Sequence, residues 1–558
     1  MTYVILQPCC NDASCVAVCP VNCIHPTPDE PEFMRAEMLH IDPATCIDCG
    51  ACVDECPVDA IVPEDELDDD DSRYLALNAG YFDVHPVDDM PMVQNKSWRK
   101  GKFSDLTVAV VGSGPAAFYS ALDLHAAGAA RIAMFDKLLT PYGLARFGVA
   151  PDHQSTKAVT GLFRSLGMKK NFTLHLGVTI GEHVTHAELL QHHDAVIYAV
   201  GASSDRRLGV DGEDLPGSHA ATEFVAWYNG HPDYANAQFD LSGERAVVVG
   251  NGNVALDVAR ILLSDPEKLA KTDIADHALE ALRRSSIREV VVVGRRGAAQ
   301  AAYTNPEMLS LLDVPDLDVF VEESEVAPDG VTTAMLEAED TESAVRTKVA
   351  LAREVAERAP SGASKRLVLR YLLSPKAIRG DGRVESVEFV RNRLQFDTDR
   401  RIVAIPTEET VALDAGLVLR SVGYKGRPVR DLPFDEGRGV IPNVDGRVID
   451  PDTGEPIAGV YVTGWIKRGP SGVIGTNKKC AVDTVDALLQ DHLEGILTPA
   501  GLPAESLISI IEDRAPDALD YEGWSRIDKA ERSAGKERSR PRVKFVDVES
   551  MLAVARRS

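Results

Sequence analysis

Beyond residue 56 the chain has a single cysteine, Cys480; the other nine of its ten lie between residues 9 and 56. The body of the protein therefore lacks a redox Cys-x2-Cys pair, which argues against a thiol–disulfide flavoprotein. No apolar stretch approaches the ~18 residues needed to cross a bilayer. The chain opens at Met1-Thr2-Tyr3 with no basic segment leading into an apolar one, so no secretory leader is expected. Positive charge is in deficit: 59 Lys and Arg stand against 86 Asp and Glu, for a net charge of −27. Phosphate backbones and anionic bilayers demand the opposite sign, so neither nucleic acid nor membrane is an expected partner. What is left, 44% apolar and 26% charged residues over 558 positions, is a soluble globular composition with room for about three or four domains. Reduced thiols point to a cytoplasmic location.

The crowded cysteines form a repeat. One copy reads Cys46-x2-Cys49-x2-Cys52-x3-Cys56-Pro57, the other Cys9-x2-Asp12-x2-Cys15-x3-Cys19-Pro20. Pro20-Val21-Asn22-Cys23-Ile24 then matches Pro57-Val58-Asp59-Ala60-Ile61. This is the spacing of two-cluster iron–sulfur ferredoxins, in which three closely spaced thiolates wrap one cluster and the Cys before Pro reaches the other. Cys46, Cys49, Cys52 and Cys19 are thus expected to hold a 4Fe–4S cluster. Cys9, Cys15 and Cys56 are expected to hold the second, with Asp12, a hard oxygen donor, where a soft thiolate belongs. That predicts a 3Fe–4S cluster, or a second 4Fe–4S cluster with a labile iron on Asp12. Cys10 is the alternative to Cys9 but breaks the frame; Cys23 reads as a packing thiol. Isolated zinc sites do not explain an overlapping run of four cysteines ending in Pro. A ferredoxin domain over residues 1–62 follows. After it, an acidic linker over 63–103 contains the run Glu64 to Asp71 and reads as a tether of ~36 Å if fully flexible. Tyr74-Leu75-Ala76-Leu77 and Tyr81-Phe82 favour packing against a neighbour equally well.

Two glycine turns follow. The strand Leu106–Val111 enters Gly112-x-Gly114-x-x-Ala117, then a helical stretch, then a strand ending at Asp136, 24 positions after the first glycine. Gly112 permits the tight turn and Gly114 the approach of a pyrophosphate, while Asp136 suits a ribose hydroxyl. The second unit runs from Arg245 into Gly250-Asn251-Gly252-Asn253-Val254-Ala255, and its next strand ends at Gly294-Arg295-Arg296. Two arginines where an acid would bind a free hydroxyl suit a 2′-phosphate, which predicts NADP(H) rather than NAD(H). FAD at the first site joins the parts chemically. NADPH delivers two electrons together, each cluster accepts one, and flavin can divide them.

From about 104 to 492 the chain resembles NADPH–ferredoxin reductases of the adrenodoxin-reductase type. The resemblance rests on Val111–Ala116, Pro141–His153, Gly250–Arg260 and Gly464–Lys478. The ferredoxin in front resembles the seven-iron type, and the whole chain resembles the fused ferredoxin/ferredoxin-NADP reductases. The resemblance implies a multidomain fold: an α+β bacterial-type ferredoxin, then an α/β flavoprotein whose Rossmann-like FAD domain (104–203 and 406–492) is interrupted by a Rossmann-like NADP domain (204–405), then a C-terminal extension (493–558). It implies that Ala116, Asp136, Leu144, Ile180, Trp465 and Gly472, Val473 and Ile474 line the FAD, the last three opening a helix. It implies NADP contacts from Asn251 to Val254, Arg206, Arg295, Arg296 and Glu307, and places His153 near the flavin as the candidate catalytic residue. Ser310 stands where a second acid is expected one turn after Glu307. The basic segment Lys536 to Lys544 reads as a solvated turn or a cradle for the acidic linker or ferredoxin.

The expected activity is that of a ferredoxin–NADP+ reductase delivering single electrons to a ferredoxin or a cytochrome P450, with a monomer the simplest assembly. The alternative is the FAD and iron–sulfur subunit of a larger complex, similar to the glutamate synthase small subunit. A binding-only electron carrier with degenerate nucleotide sites is the non-enzymatic alternative.

Overall fold

The computed structural model describes residues 2–87, 98 and 101–556. The cysteine-rich repeat folds as two interlocked halves. Tyr3–Ile5 pairs antiparallel with Ile61–Pro63, and Ile24–His25 with His40–Ile41. A short helix follows each cysteine loop, Val16–Val18 in the first half and Ala51–Asp54 in the second. The small core includes Val4, Ile5, Val16, Ile24, Phe33, Leu39, Ile41 and Ile61.

The acidic run leads into a helix, Arg73–Phe82, whose Tyr74, Asn78 and Tyr81 are buried at helical spacing. The Asn78 amide accepts from the backbone N–H of Ile5 and Ile41 and donates to the Ile5 carbonyl. One side chain carrying both donor and acceptor thus ties the two strand pairs together. This part of the expected tether is packed structure, not random coil. Residues 88–97 and 99–100 of that tether lie outside the described residues.

The reductase body is built on two sheets. In the larger, the strand order is Asn443–Val444, Arg447–Ile449, Pro456–Val462, Ala195–Tyr198, Thr107–Val111, Arg131–Asp136 and Phe172–Leu176. Its last five strands are parallel. In the second, Ser218–Ala220, Leu417–Arg420, Arg245–Val249, Glu289–Val293, Lys365–Arg370 and Leu317–Val321 are all parallel. Their near-continuous Val, Ala and Leu runs are what strands covered by helices on both faces require. An antiparallel three-stranded sheet, Leu373–Arg379, Ser386–Phe396 and Ile402–Asp414, extends from the second unit.

The chain crosses between units at one small antiparallel pair, Ser204–Asp205 with Tyr424–Lys425. The return boundary expected at 405/406 is therefore corrected: it falls inside Ile402–Asp414, and Leu417–Arg420 still belongs to the second sheet, between Ser218–Ala220 and Arg245–Val249. Phe396 and Ile402 face each other across a hairpin of the three-stranded sheet, and the final parallel strand comes after it.

The C-terminal extension is also corrected. Helices Tyr521–Glu537 and Val548–Ala555 place Trp524, Ile527, Met551 and Ala555 in the core of the first unit. The first half of the basic segment, Lys536 to Ser539, is exposed, as expected of a solvated turn; the second half is neither solvated nor a cradle for the ferredoxin. Arg540 and Lys544 are buried, and Arg542 is largely so. Arg542 pairs with Glu531 at 2.8 Å, Lys544 with Asp273 at 2.9 Å and Arg540 with Asp276 at 2.7 Å. Asp273 and Asp276 belong to the second unit, so the extension clamps one nucleotide unit to the other.

Candidate active site

The two glycine turns share one construction. At Gly112 φ is +105°, and a Cβ there would lie 2.5 Å from the Ala199 carbonyl oxygen; at Gly250 φ is +118°, and a Cβ would lie 2.0 Å from that of Ser421. Neither turn admits a side chain. Helix Pro115–Ala127 starts after Gly114 and helix Asn253–Leu263 after Gly252, both without a side-chain cap. Their first amides and dipoles are thus left for an anion. A Cβ added at Gly114 would meet no atom within 4 Å, the open space a pyrophosphate needs.

Asp136 is bonded to the turn itself. Its carboxylate accepts from Ser113 N (2.8 Å), Ser113 Oγ (2.6 Å) and Leu138 N (2.9 Å). A carboxylate has about four acceptor positions, so one is left for a ribose hydroxyl. Burial raises its carboxyl above the usual range while these hydrogen bonds act against the rise. Leu144 is 36% exposed, an apolar side chain of the kind an isoalloxazine would cover. Trp465 stacks at a tilt on Tyr424 and donates from Nε1 to Ser471 O at 3.1 Å. Gly472, Val473 and Ile474 do not open the helix as expected; they form the loop before it, because helix Thr476–Leu493 is capped at Gly475.

In the second unit Arg295 is exposed and Arg296 half-buried, and neither has a carboxylate partner among the described residues. Burial and the Arg295 charge both lower the Arg296 pKa, a strain that an incoming phosphate dianion relieves. Asn251 fits under Gly294, where a Cβ would lie 2.3 Å from its Nδ2. Asn253 Oδ1 accepts from Thr304 N at 2.8 Å. Arg206 lies exposed at the crossover, its N–H bonded to Gly423 O.

Glu307 is not among the arginines at the strand end. It is buried in a charged cluster with His153, Asp152, Asp257 and Arg260. His153 Nδ1 is 3.9 Å from both Asp257 and Glu307. Arg260 pairs with Asp152 (2.7 Å), Asp257 (2.6 Å) and Glu307 (3.4 Å). Burial works to raise Asp152, but Arg260 overrides it and holds the carboxyl at about 2. Glu307 goes the other way, raised by burial and by Asp257. Ser310, where a second acid was expected, only returns a hydrogen bond to Glu307 O; Asp257 and Asp152 supply the acids instead. The signal for Asp257 was present in the Gly250–Arg260 stretch, where Asp257 and Arg260 sit three apart on one helix face.

The cysteines converge in two groups. Cys19, Cys46, Cys49 and Cys52 line one cavity, together with Tyr3, Ile47 and Cys23. Cys23 is closer to this group than a packing thiol need be, with its Sγ 3.4 Å from that of Cys19. Cys9, Cys15 and Cys56 lie within electrostatic reach of Asp12, and so does buried Cys10. The Cys before each Pro has thus crossed to the other half's group. Burial pushes Cys9 up to about 12 and Cys52 to about 11. Such thiols ionise when iron compensates them, so the donor sets fit clusters.

The ferredoxin is seated across both nucleotide units. Gly475 N donates to Cys10 O at 2.6 Å. Lys478 reaches Asp12 (3.3 Å) and Ser14 (2.9 Å). Gln7 donates to Glu307 at 2.9 Å, and Lys348 pairs with Glu37 at 2.8 Å.

Comparisons with known proteins identify the family. The pyridine nucleotide-disulphide oxidoreductase family matches residues 106–304, and the 4Fe-4S binding domain matches residues 39–62. A probable ferredoxin/ferredoxin–NADP reductase of Mycobacterium tuberculosis is 48% identical over 569 residues, spanning 100% of this chain and 95% of the relative. The chain belongs to the fused ferredoxin/ferredoxin–NADP reductases. The NADPH-ferredoxin reductase FprA of Mycobacterium tuberculosis, which matches 80% of this reductase and is covered over 98% of its own length, is 46% identical. The solved structure of FprA in complex with NADPH superposes with a TM-score of 0.75 at 45% identity, covering 81% of this chain and 99% of that one.

Family membership makes this reductase an oxidoreductase with FAD and NADP sites and a 4Fe–4S ferredoxin domain. Among the described residues no helix is long and apolar enough to cross a membrane. Sequence reasoning missed Gln7, Gly475 and Lys478 as contact residues between ferredoxin and reductase. Gln7 and Lys478 carry no local signal, since each acquires its role only from a partner hundreds of positions away.

Proposed function

We propose that this chain carries electrons from NADPH through FAD and its own ferredoxin to a one-electron acceptor protein, such as a free ferredoxin or a cytochrome P450. The observation that carries this reading is the hydrogen bond from Gly475 to Cys10, which joins the loop Gly472–Gly475 to the first cysteine loop. When bound, FAD supplies a two-electron acceptor for hydride and the clusters supply one-electron relays.

The chain's own residues do the rest. Arg295 and Arg296 select the 2′-phosphate through paired guanidinium forks. The N-terminal amides of the two glycine-turn helices hold the pyrophosphates, and Asp136 orients the flavin ribose. Trp465, Leu144 and Ile180 exclude water from the ring site. His153, held among Asp257, Glu307 and Arg260, sets the charge where the two nucleotide units meet.

The loop holding Cys9, Asp12 and Cys15 faces the flavin unit, which makes its cluster the inner relay. Cys49 and Ile47 are exposed, which makes the group of Cys19, Cys46, Cys49 and Cys52 the outlet. We read the inner cluster as 3Fe–4S. Supporting this, the Asp12 oxygens are engaged elsewhere: Oδ1 accepts from Ser14 N at 3.2 Å, and Oδ2 from Ser14 Oγ at 2.5 Å and from Lys478.

The test is Gly475→Ala in the full chain. A Cβ there would lie 2.2 Å from Asn11 C and Asp12 N, so the ferredoxin loop must retreat by roughly 1 Å. The longer path from the flavin to the inner cluster should slow NADPH-driven cytochrome c reduction. Bleaching of the flavin band by NADPH should be unchanged. Equal cytochrome c rates in variant and parent would overturn the proposed route.

A further inference from the structure

We propose that Lys478 of the reductase holds the fourth-ligand position of the inner cluster closed, so that docking of the ferredoxin on the reductase decides whether Asp12 can take up a fourth metal. The inference rests on the three-iron reading of that cluster.

Asp12 is 6% exposed, and its side chain is the one donor in the first cysteine frame that is not a thiol. A carboxylate at that place has two possible uses: it can bind iron, or it can bind hydrogen-bond donors. Here it binds donors. Two of them, Ser14 N and Ser14 Oγ, are local and travel with the loop. The third comes from the reductase, 466 positions away in sequence: Lys478 Nζ lies 3.3 Å from Asp12 Oδ2 and 2.9 Å from Ser14 Oγ. A full positive charge on the outer side of a nearly buried carboxylate holds it more strongly than a neutral donor does.

The clamp is built into the docking contact. Gly475, three residues before Lys478, is pressed on the backbone of Cys10, Asn11 and Asp12 so closely that no Cβ fits. Lys478 lies in the first turn of helix Thr476–Leu493, so docking of the loop and capture of Asp12 are one event. With Lys478 gone, Asp12 is restrained only by Ser14, and a soft turn can rotate the carboxylate toward iron. Lys478 is accordingly a positioning residue for the cluster ligand, and the site it closes is one for a divalent cation such as Fe2+.

The chemistry balances. One electron from dithionite reduces the oxidised three-iron cluster. One Fe2+ then adds to the reduced core with no further electron change, its charge carried into the product cubane, and the Asp12 carboxylate becomes the fourth protein ligand.

The experiment is EPR of the holoenzyme. Full-length protein, Lys478→Met and Lys478→Arg are reduced with dithionite, given Fe2+, and re-oxidised at timed intervals. The readout is the remaining signal of the oxidised three-iron cluster. Lys478→Met should lose that signal about ten-fold faster than the parent or more, the factor expected when one charge-assisted hydrogen bond is removed. Lys478→Arg should behave as the parent, and adding Asp12→Ala to Lys478→Met should restore slow loss. Equal rates in parent and Lys478→Met, with a three-iron signal in both, would overturn the clamp and leave the three-iron reading standing. A parent with no three-iron signal before iron addition would overturn both.

Discussion

Replacing Glu531 by Gln should loosen the C-terminal clamp far more than its single lost charge implies. Glu531 is fully buried. Its oxygens accept from Arg146 at 2.9 and 2.5 Å, from Arg542 at 2.8 Å and from Phe545 N at 3.0 Å. Gln keeps the shape but leaves two guanidinium groups facing a neutral amide in a dry site. Removing one partner of a buried ion network costs about 3–5 kcal/mol. For a cooperative unit of 150–250 residues, each kcal/mol moves the melting temperature by roughly 2–4 °C. A fall on the order of 6–20 °C is therefore expected. It can be read by release of flavin fluorescence on heating and by faster proteolysis within residues 493–556.

The pH dependence has a definite sign. Burial raises the Glu531 carboxyl, but Arg146 and Arg542 outweigh it and hold the group below the usual range. Its contribution is then present at neutral pH and lost as pH falls through the lowered folded value. The gap between parent and Glu531→Gln should close below about pH 4, where the unfolded-state carboxyl is protonated and the folded one begins to follow. Replacing the three together, Arg146→Met with Glu531→Leu and Arg542→Leu, should recover most of the loss, because Asp528, the other carboxylate on Arg542, keeps Arg532 at 3.0 Å and Arg164 at 3.2 Å. A single variant within about 1 kcal/mol of the parent, or a triple variant as damaged as the single one, would refute this account of the clamp.

Two further outcomes follow from the site. Arg295→Ala and Arg296→Ala should each raise the KM for NADPH by about 10- to 100-fold, the worth of a hydrogen bond to a charged group, and leave that for NADH nearly unchanged; parallel steady-state titrations with the two coenzymes decide it. Gln7→Leu removes one of the contacts that lower the Glu307 carboxyl against burial and Asp257, so Glu307 should titrate at higher pH. The acid limb of the pH–rate profile for NADPH oxidation should then move upward, and an unmoved limb would separate Gln7 from the His153 cluster.

The candidate site was read along the chain from signals of short spacing. The x2 intervals that wrap a cluster, the glycines that admit a pyrophosphate and the two arginines after a strand are each contained in a few consecutive residues. The return boundary was misplaced for a related reason. A parallel strand such as Leu417–Arg420 is recognised by what lies beside it, and its neighbours are some 170 and 200 positions earlier. The linker helix was half legible: Tyr74 and Tyr81 carried the apolar signal, but nothing local told that Asn78 would bond two strands at once.

By itself, then, the order of residues determined the cofactor classes, the coenzyme preference and the fold of each unit, since all of these rest on backbone turns and side chains that act within one loop or one strand–helix pair. Only tertiary structure decided how the units meet. It set the first cysteine loop against Gly475, turned Asp12 toward Lys478, drew Gln7 to Glu307 and buried Arg540 and Lys544 of the basic C-terminal segment as a clamp. These contacts rest on desolvated charges and on backbone packed too closely for a Cβ, and both arise only when surfaces hundreds of residues apart close on each other and exclude water.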